Sequence, residues 1–194
     1  METLNTDMSD ASPTPPPVPN DATPVAPAPK APSEAPAPLP LGTVATLLAN
    51  HGIAVEALPA DAKGTEMFVL PDHAQVLQAA TLLRDDETLA FDLLVSASGV
   101  DAKTHRETVY HFYSTQRATW VGVVVKADAN EQAPSLKPVF HAADWHEREA
   151  YDLLGITYVG HDDLRRILMP DYWLGHPLRK DYQDNDPRLV WNKR

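Results

Sequence analysis

The sequence predicts an α+β domain, an antiparallel sheet with helices packed on one face, followed by a long irregular C-terminal tail. Apolar residues recur at every second position from Leu89 to Ala97, and two more strand-length segments follow by residue 126, joined by short polar turns. Three other segments repeat apolar residues at helical spacing beside capping residues or a terminal glycine. Beyond Tyr158 this periodicity ends, while prolines, glycines and polar gaps continue to Arg194.

Residues 1–40 hold twelve of the nineteen prolines, alternating from Pro13 with alanine, serine and valine. Proline fixes φ and removes a hydrogen-bond donor, so this extension is expected to be disordered, a semi-extended tether without a core. From Thr43, Val44, Leu47 and Leu48 recur at helical spacing and Gly52 follows, which predicts a short helix ending near His51. Strands are expected over Ile53–Leu58 and Glu66–Leu70. Asp72 and Gln75 have capping-box spacing before Val76, Leu77, Ala80 and Leu83, which share one helical face.

Leu89, Phe91, Leu93, Val95 and Ala97 alternate, predicting a strand with one face on the core. A turn at Gly99-Val100-Asp101 leads into strands Thr108–Ser114 and Trp120–Lys126, and three strands so joined read as an antiparallel meander. Asp144 and Glu147 again have capping-box spacing, and Gly155 is placed to end a helix over Asp144–Leu154. Asp144 with Arg148, and Arg148 with Asp152, are oppositely charged at i,i+4. Residues 41–157 are thus the α+β domain ending in this helix, and 158–194 an extended partner-binding tail.

The chain carries a net charge of −11, which argues against nucleic acid as a partner. Its last thirty residues nevertheless hold seven bases and four acids, an asymmetry that suggests docking. There is no cysteine, so the chain has no disulfide, catalytic thiol or thiolate ligand for an iron–sulfur cluster. Met1–Asn5 lacks the features of a signal or transit peptide, and no apolar run approaches the roughly 20 residues that span a bilayer. The expectation is a chain on the cytoplasmic side, reaching a membrane only through partners.

Eight histidines invite a metal reading, above all His141 and His146 beside Glu147 and Glu149. A helical zinc pair needs histidines at i and i+4, but Ala150 stands where the second would fall, and His141 to His146 is i,i+5. A metal-dependent soluble hydrolase using His141, His146 and Glu149 is therefore an alternative only. A proline-tethered adaptor is another. No glycine-rich nucleotide cradle or nucleophile elbow occurs. Catalytic, cofactor and metal residues are all expected to be lacking.

Residues 147–182 concentrate expensive side chains. Glu147, Arg148, Glu149 and Asp152 put four charges on about two helical turns. Arg165 and Arg166 then lie between Leu164 and Ile167, and Tyr172, Trp173 and Tyr182 flank His176, Arg179, Lys180 and Asp181. Arginine and large aromatics on an irregular segment are the composition of a protein interface.

The run Glu147-Arg148-Glu149-Ala150-Tyr151-Asp152-Leu153-Leu154-Gly155, with His161 and Arg165-Arg166-Ile167-Leu168, resembles the signature of the C-type (30-kDa-type) subunit of NADH-quinone oxidoreductase, respiratory complex I, found also in related membrane hydrogenases. Gly175-His176-Pro177-Leu178-Arg179-Lys180-Asp181-Tyr182 is similar to the family's next block. The proline-rich extension and Trp173-Leu174 stand outside that pattern. The resemblance implies an accessory structural subunit of the peripheral arm, binding no cofactor itself, within a proton-translocating complex that uses FMN, iron–sulfur clusters, NADH and quinone. It implies other peripheral-arm subunits as partners, chiefly the quinone-site large subunit of the D type, and a peripheral place on the cytoplasmic side of a bacterial plasma membrane. Glu147, Arg148, Glu149, Asp152, His161, Arg165, Arg166, Tyr172, Trp173, His176, Arg179, Lys180, Asp181 and Tyr182 are the expected partner-binding residues.

Overall fold

The computed structural model describes residues 37–183. The expected extension over 1–40 falls almost wholly outside the described residues, as do the last eleven positions of the tail.

Ten elements follow in order: α1 Thr43–Asn50, β1 Glu56–Leu58, β2 Glu66–Val69, α2 His73–Asp85, β3 Leu93–Asp101, β4 Arg106–Ser114, β5 Thr119–Lys126, β6 Gln132–Pro134, α3 Ala143–Leu154 and β7 Thr157–Val159. The main sheet runs β1-β2-β5-β4-β3 and a small one pairs β6 with β7. The α+β class is as expected, and β3-β4-β5 form the antiparallel meander. The sheet as a whole is mixed, because β2 lies parallel to β5 with Phe68 opposite Val123. A connection long enough to hold α2, β3 and β4 makes that parallel pairing possible.

Thr108, Tyr110, Phe112 and Ser114 of β4 are buried while the residues between them are only half-buried, so one sheet face carries the core. There they meet Val44 and Leu48 of α1, Val76, Ala79, Ala80 and Leu83 of α2, and Ala143, Ala150 and Leu154 of α3. Leu77, expected on that face, is exposed, and Ala79 takes the position. Only half of the α2 capping box forms: Asp72 accepts from the Ala74 amide at 3.0 Å, whereas Gln75 reaches Ala54 N and Gly52 O.

The edge strand departs most from expectation. Leu89 and Phe91 are fully buried but precede β3, where Leu93 and Val95 face outward and a register shift between Leu94 and Ser96 lets Leu94 and Ala97, three apart, both enter the core. Gly99 and Asp101 lie in the strand, and the turn falls after them, with Lys103 at φ +70°. A Cβ on Gly99 would stand 2.6 Å from Leu154 Cδ1 and 3.1 Å from Ala150 Cβ, so the glycine lets α3 approach the sheet. That seating fixes where the α3 charges point.

Candidate functional site

Helix α3 begins at Ala143 with Ala142 as its N-cap and no capping side chain. The expected Asp144–Glu147 box does not form because both carboxylates are engaged elsewhere. Asp144 Oδ1 lies 3.0 Å from Nε2 of His161, whose ring is fully buried and whose Nδ1 accepts from the Asp163 amide at 3.1 Å. Lys137 Nζ is 3.4 Å from the same Asp144 oxygen. Neither i,i+4 pair expected along α3 is present, since Arg148 and Asp152 both turn to residues that follow the helix.

Glu147 is fully buried. Its Oε2 accepts from Ser135 Oγ at 2.6 Å, and its Oε1 from the Leu136 amide at 2.7 Å and Tyr110 OH at 3.4 Å. No cation among the described residues is paired with it, and burial pushes its carboxyl up to about 7 against those hydrogen bonds. Beside this group Tyr158 OH and Thr108 Oγ1 form a buried hydrogen bond of 2.6 Å.

Asp152, further along the helix, is also fully buried but has the opposite surroundings. Oδ1 receives Arg166 Nη1 at 2.6 Å, and Oδ2 receives three consecutive amides, Ile167 at 3.0 Å, Leu168 at 2.7 Å and Met169 at 2.8 Å. Burial alone would raise its carboxyl. The amides and the guanidinium outweigh that effect and hold it below the usual carboxylate range.

The tail also caps the helix. An α-helix leaves its last four carbonyls without intrahelical partners. Here the Tyr151 carbonyl accepts from Gly155 N, that of Asp152 from Arg166 Nη1 and His176 Nδ1, that of Leu153 from Leu178 N, and that of Leu154 from Arg179 Nε at 2.6 Å. Two guanidiniums thus sit at the negative end of the helix. Burial, with the nearby Arg179 and Arg166 charges, holds the His176 imidazole below its usual range despite the bond to the Asp152 carbonyl. Arg179 also ion-pairs with Glu131, which pairs in turn with Arg106 of β4.

The expected partner-binding residues therefore fall into two groups. Glu147, Arg148, Asp152, His161, Arg166, His176 and Arg179 are wholly or largely enclosed and engaged within the chain, Arg148 through its Nε to the Arg165 carbonyl at 3.3 Å. Glu149, Arg165, Tyr172, Lys180 and Asp181 are exposed, while Trp173 and Tyr182 are half-buried. Arg165 pairs with Asp163 at 2.9 Å, and the Lys180 amide reaches Asp101 Oδ2 at 2.8 Å. Leu168, Leu174 and Leu178 are each more than half exposed and alternate with these groups, and Trp145 of α3 is 70% exposed. Ser135, Tyr110, Glu131, Asp101 and Lys137 complete the cluster and carried no motif signal. Among the described residues no three His, Asp or Glu side chains converge so as to hold a metal ion, and His141 lies outside α3.

A sequence-family model described as respiratory-chain NADH dehydrogenase, 30 Kd subunit, matches residues 69–188. The chain belongs to that family. It is 41% identical over 154 residues to the C-type subunit of NADH-quinone oxidoreductase from a Caulobacter species, covering 77% of this chain and 71% of that one. The corresponding subunit of Xanthobacter autotrophicus is 42% identical over 139 residues, 65% of this chain and 66% of the relative. That of a Nocardioides species is 47% identical over 112 residues, 55% of this chain and 45% of the relative. The chain thus spans less than two thirds of the length of two of these three relatives.

Two solved structures share the fold. A trypsin-resistant fragment of Nqo5 superposes with a TM-score of 0.50 at 23% identity, over 62% of this chain and 96% of the fragment. A chain of the membrane-bound sulfane sulfur reductase, an archaeal respiratory membrane complex, gives 0.56 at 21% identity, over 72% and 83%. The matched region, residues 69–188, contains the whole of α3 and the tail contacts of Asp152.

Proposed function

We propose that this chain is an accessory structural subunit of a proton-translocating NADH-quinone oxidoreductase, seated on the peripheral arm at the cytoplasmic side of a bacterial plasma membrane. It supports electron transfer from NADH to quinone without being catalytic alone. FMN, the iron–sulfur clusters, NADH and quinone belong to other subunits of the complex in this reading, and the absence of cysteine agrees with it. Its partners are the other peripheral-arm subunits, chiefly the quinone-site large subunit.

The observation that carries the docking surface is the division of labour in the tail. Arg166 and Arg179 are spent on α3, whereas Leu168, Leu174 and Leu178 point outward between exposed charges. Apolar anchors with a polar rim suit a protein partner. Glu149, Arg165, Lys180 and Asp181 form that rim. No helix among the described residues is long and apolar enough to cross a membrane.

The test is affinity purification of the tagged full-length chain from native membranes, with the triple variant Leu168→Ser/Leu174→Ser/Leu178→Ser as comparison. The native chain is expected to bring down NADH-quinone oxidoreductase subunits, and the variant to lose the large subunit while keeping its own unfolding midpoint. Retrieval of none of these subunits by the native chain overturns the subunit reading. Wild-type retrieval by the variant overturns the docking surface alone.

A further inference from the structure

The turn after β3 and the tail after Leu178 meet around a cavity of about 260 Å3 whose wall is made of Asp101, Lys103, Arg106, Lys180 and Asp181. All five side chains are ionisable. Asp101 is buried and its two carboxylate oxygens are taken by backbone amides, Oδ1 by Lys103 N at 2.8 Å and Oδ2 by Lys180 N at 2.8 Å. Those bonds hold its carboxyl below the usual range. Glu131 lies outside the wall and divides its charge between Arg106 and Arg179.

What remains unspent is mostly donor. The ammonium groups of Lys103 and Lys180 are exposed and enter no ion pair or side-chain hydrogen bond among the described residues. Arg106 Nε is buried without a hydrogen-bond partner among the described residues. Buried donors are rarely left unmet, and an unmet one calls for a water or an ion. Lys103, Arg106, Arg179 and Lys180 stand against Asp101, Glu131 and Asp181, a local charge of +1 on a chain of −11. Among these acids Asp181 alone has no side-chain hydrogen bond or ion pair with the described residues.

We propose that this cavity binds a phosphate-type oxyanion between the Lys103 and Lys180 ammonium groups and the Arg106 guanidinium, and that the anion fastens the tail to the β3–β4 turn. Cationic side chains make charge-assisted bonds to phosphate oxygens. The opposing Asp181 carboxylate keeps the affinity modest, about millimolar. The ion is a free phosphate or phosphate ester, or the headgroup of an anionic lipid.

The experiment titrates the full-length chain with inorganic phosphate while following the backbone amide resonances of Lys103 and Lys180, with sodium chloride at matched ionic strength to account for screening. Saturable shifts are expected. The exposed-residue variant Lys103→Ser/Lys180→Ser should weaken them roughly tenfold or more, and Asp181→Asn should tighten them, both variants keeping the wild-type unfolding midpoint in chloride. Phosphatidylcholine vesicles with and without phosphatidic acid separate the two sources. Saturation by free phosphate supports the soluble ion, and saturation only by the phosphatidic acid vesicles supports the headgroup. Saturation by neither, equal shifts in chloride, or unchanged affinity in either variant overturns the proposal.

Discussion

Asp152 Oδ1 lies 2.6 Å from Arg166 Nη1, an ion pair in which the carboxylate is fully buried and the guanidinium side chain only 16% exposed. Fourteen residues of chain separate them, and the pair closes the loop that follows α3 and β7. The same carboxylate organises three successive amides, as an anion does in a nest of N–H donors. A charge of this kind belongs to the folded chain before any partner arrives.

Asp152→Asn is therefore expected to destabilise the chain strongly. Removing one member of a buried pair leaves the other uncompensated, at a cost of about 3–5 kcal/mol. Because the folded carboxyl is held below its unfolded value, its contribution is present above the unfolded value and lost as the pH falls through the folded one. Urea unfolding at neutral pH should show a lowered midpoint, and amide exchange at Ile167, Leu168 and Met169 should accelerate most. Protection of those amides at the native level would contradict the assignment.

The sequence pattern tells local structure well and long-range pairing badly. β4 is legible because it alternates, β5 because Val121 to Val125 form a strand-length apolar run, and each pairs with its chain neighbour. The edge strand begins four residues later than its alternation suggests because the chain before it is turned, with Ala90 at φ +48° and its amide bonded to the Asp86 carbonyl, and a bulge between Leu94 and Ser96 then breaks the alternation inside the strand. Glu147 looks like a capping residue since the box pattern is complete, yet its partners are Ser135, Leu136 and Tyr110, and nothing in their spacing announces a carboxylate. The charges around Asp152 are legible as costly but not as internal. An arginine that caps a helix and one that meets another protein look alike in sequence.

Glu147 gives a pH dependence of the opposite sign to that of Asp152. Burial raises its folded carboxyl to about 7 from an ordinary value of 4.5, so the folded state binds the proton more tightly than the unfolded state. The resulting stability is fully present below the unfolded value and is lost as the pH rises through about 7, a term on the order of 3 kcal/mol. Glu147→Gln keeps the shape and an acceptor for the Leu136 amide but cannot ionise. Unfolding free energies at pH 5 and pH 8 should therefore differ less in Glu147→Gln than in the native chain. An equal difference in both would show that another group carries the dependence.

Gly155 and Gly160 separate backbone strain from crowding at the end of α3. Both adopt positive φ, +76° and +90°, where an L side chain costs about 1–3 kcal/mol. A Cβ at Gly160 has open space around it, whereas at Gly155 it would stand 2.2 Å from Arg179 Nη2 and 2.6 Å from His176 Cδ2. Gly160→Ala is expected to cost the strain alone. Gly155→Ala adds displacement of the arginine that caps Leu154 and pairs with Glu131, so its unfolding midpoint should fall clearly further. In the double variant Gly155→Ala/Arg179→Ala the contact with Arg179 is gone while that with His176 remains, so the cost of the Gly155 change should shrink but stay above that of Gly160→Ala. Equal costs for Gly155→Ala with and without Arg179 would show that Arg179 does not crowd this helix end.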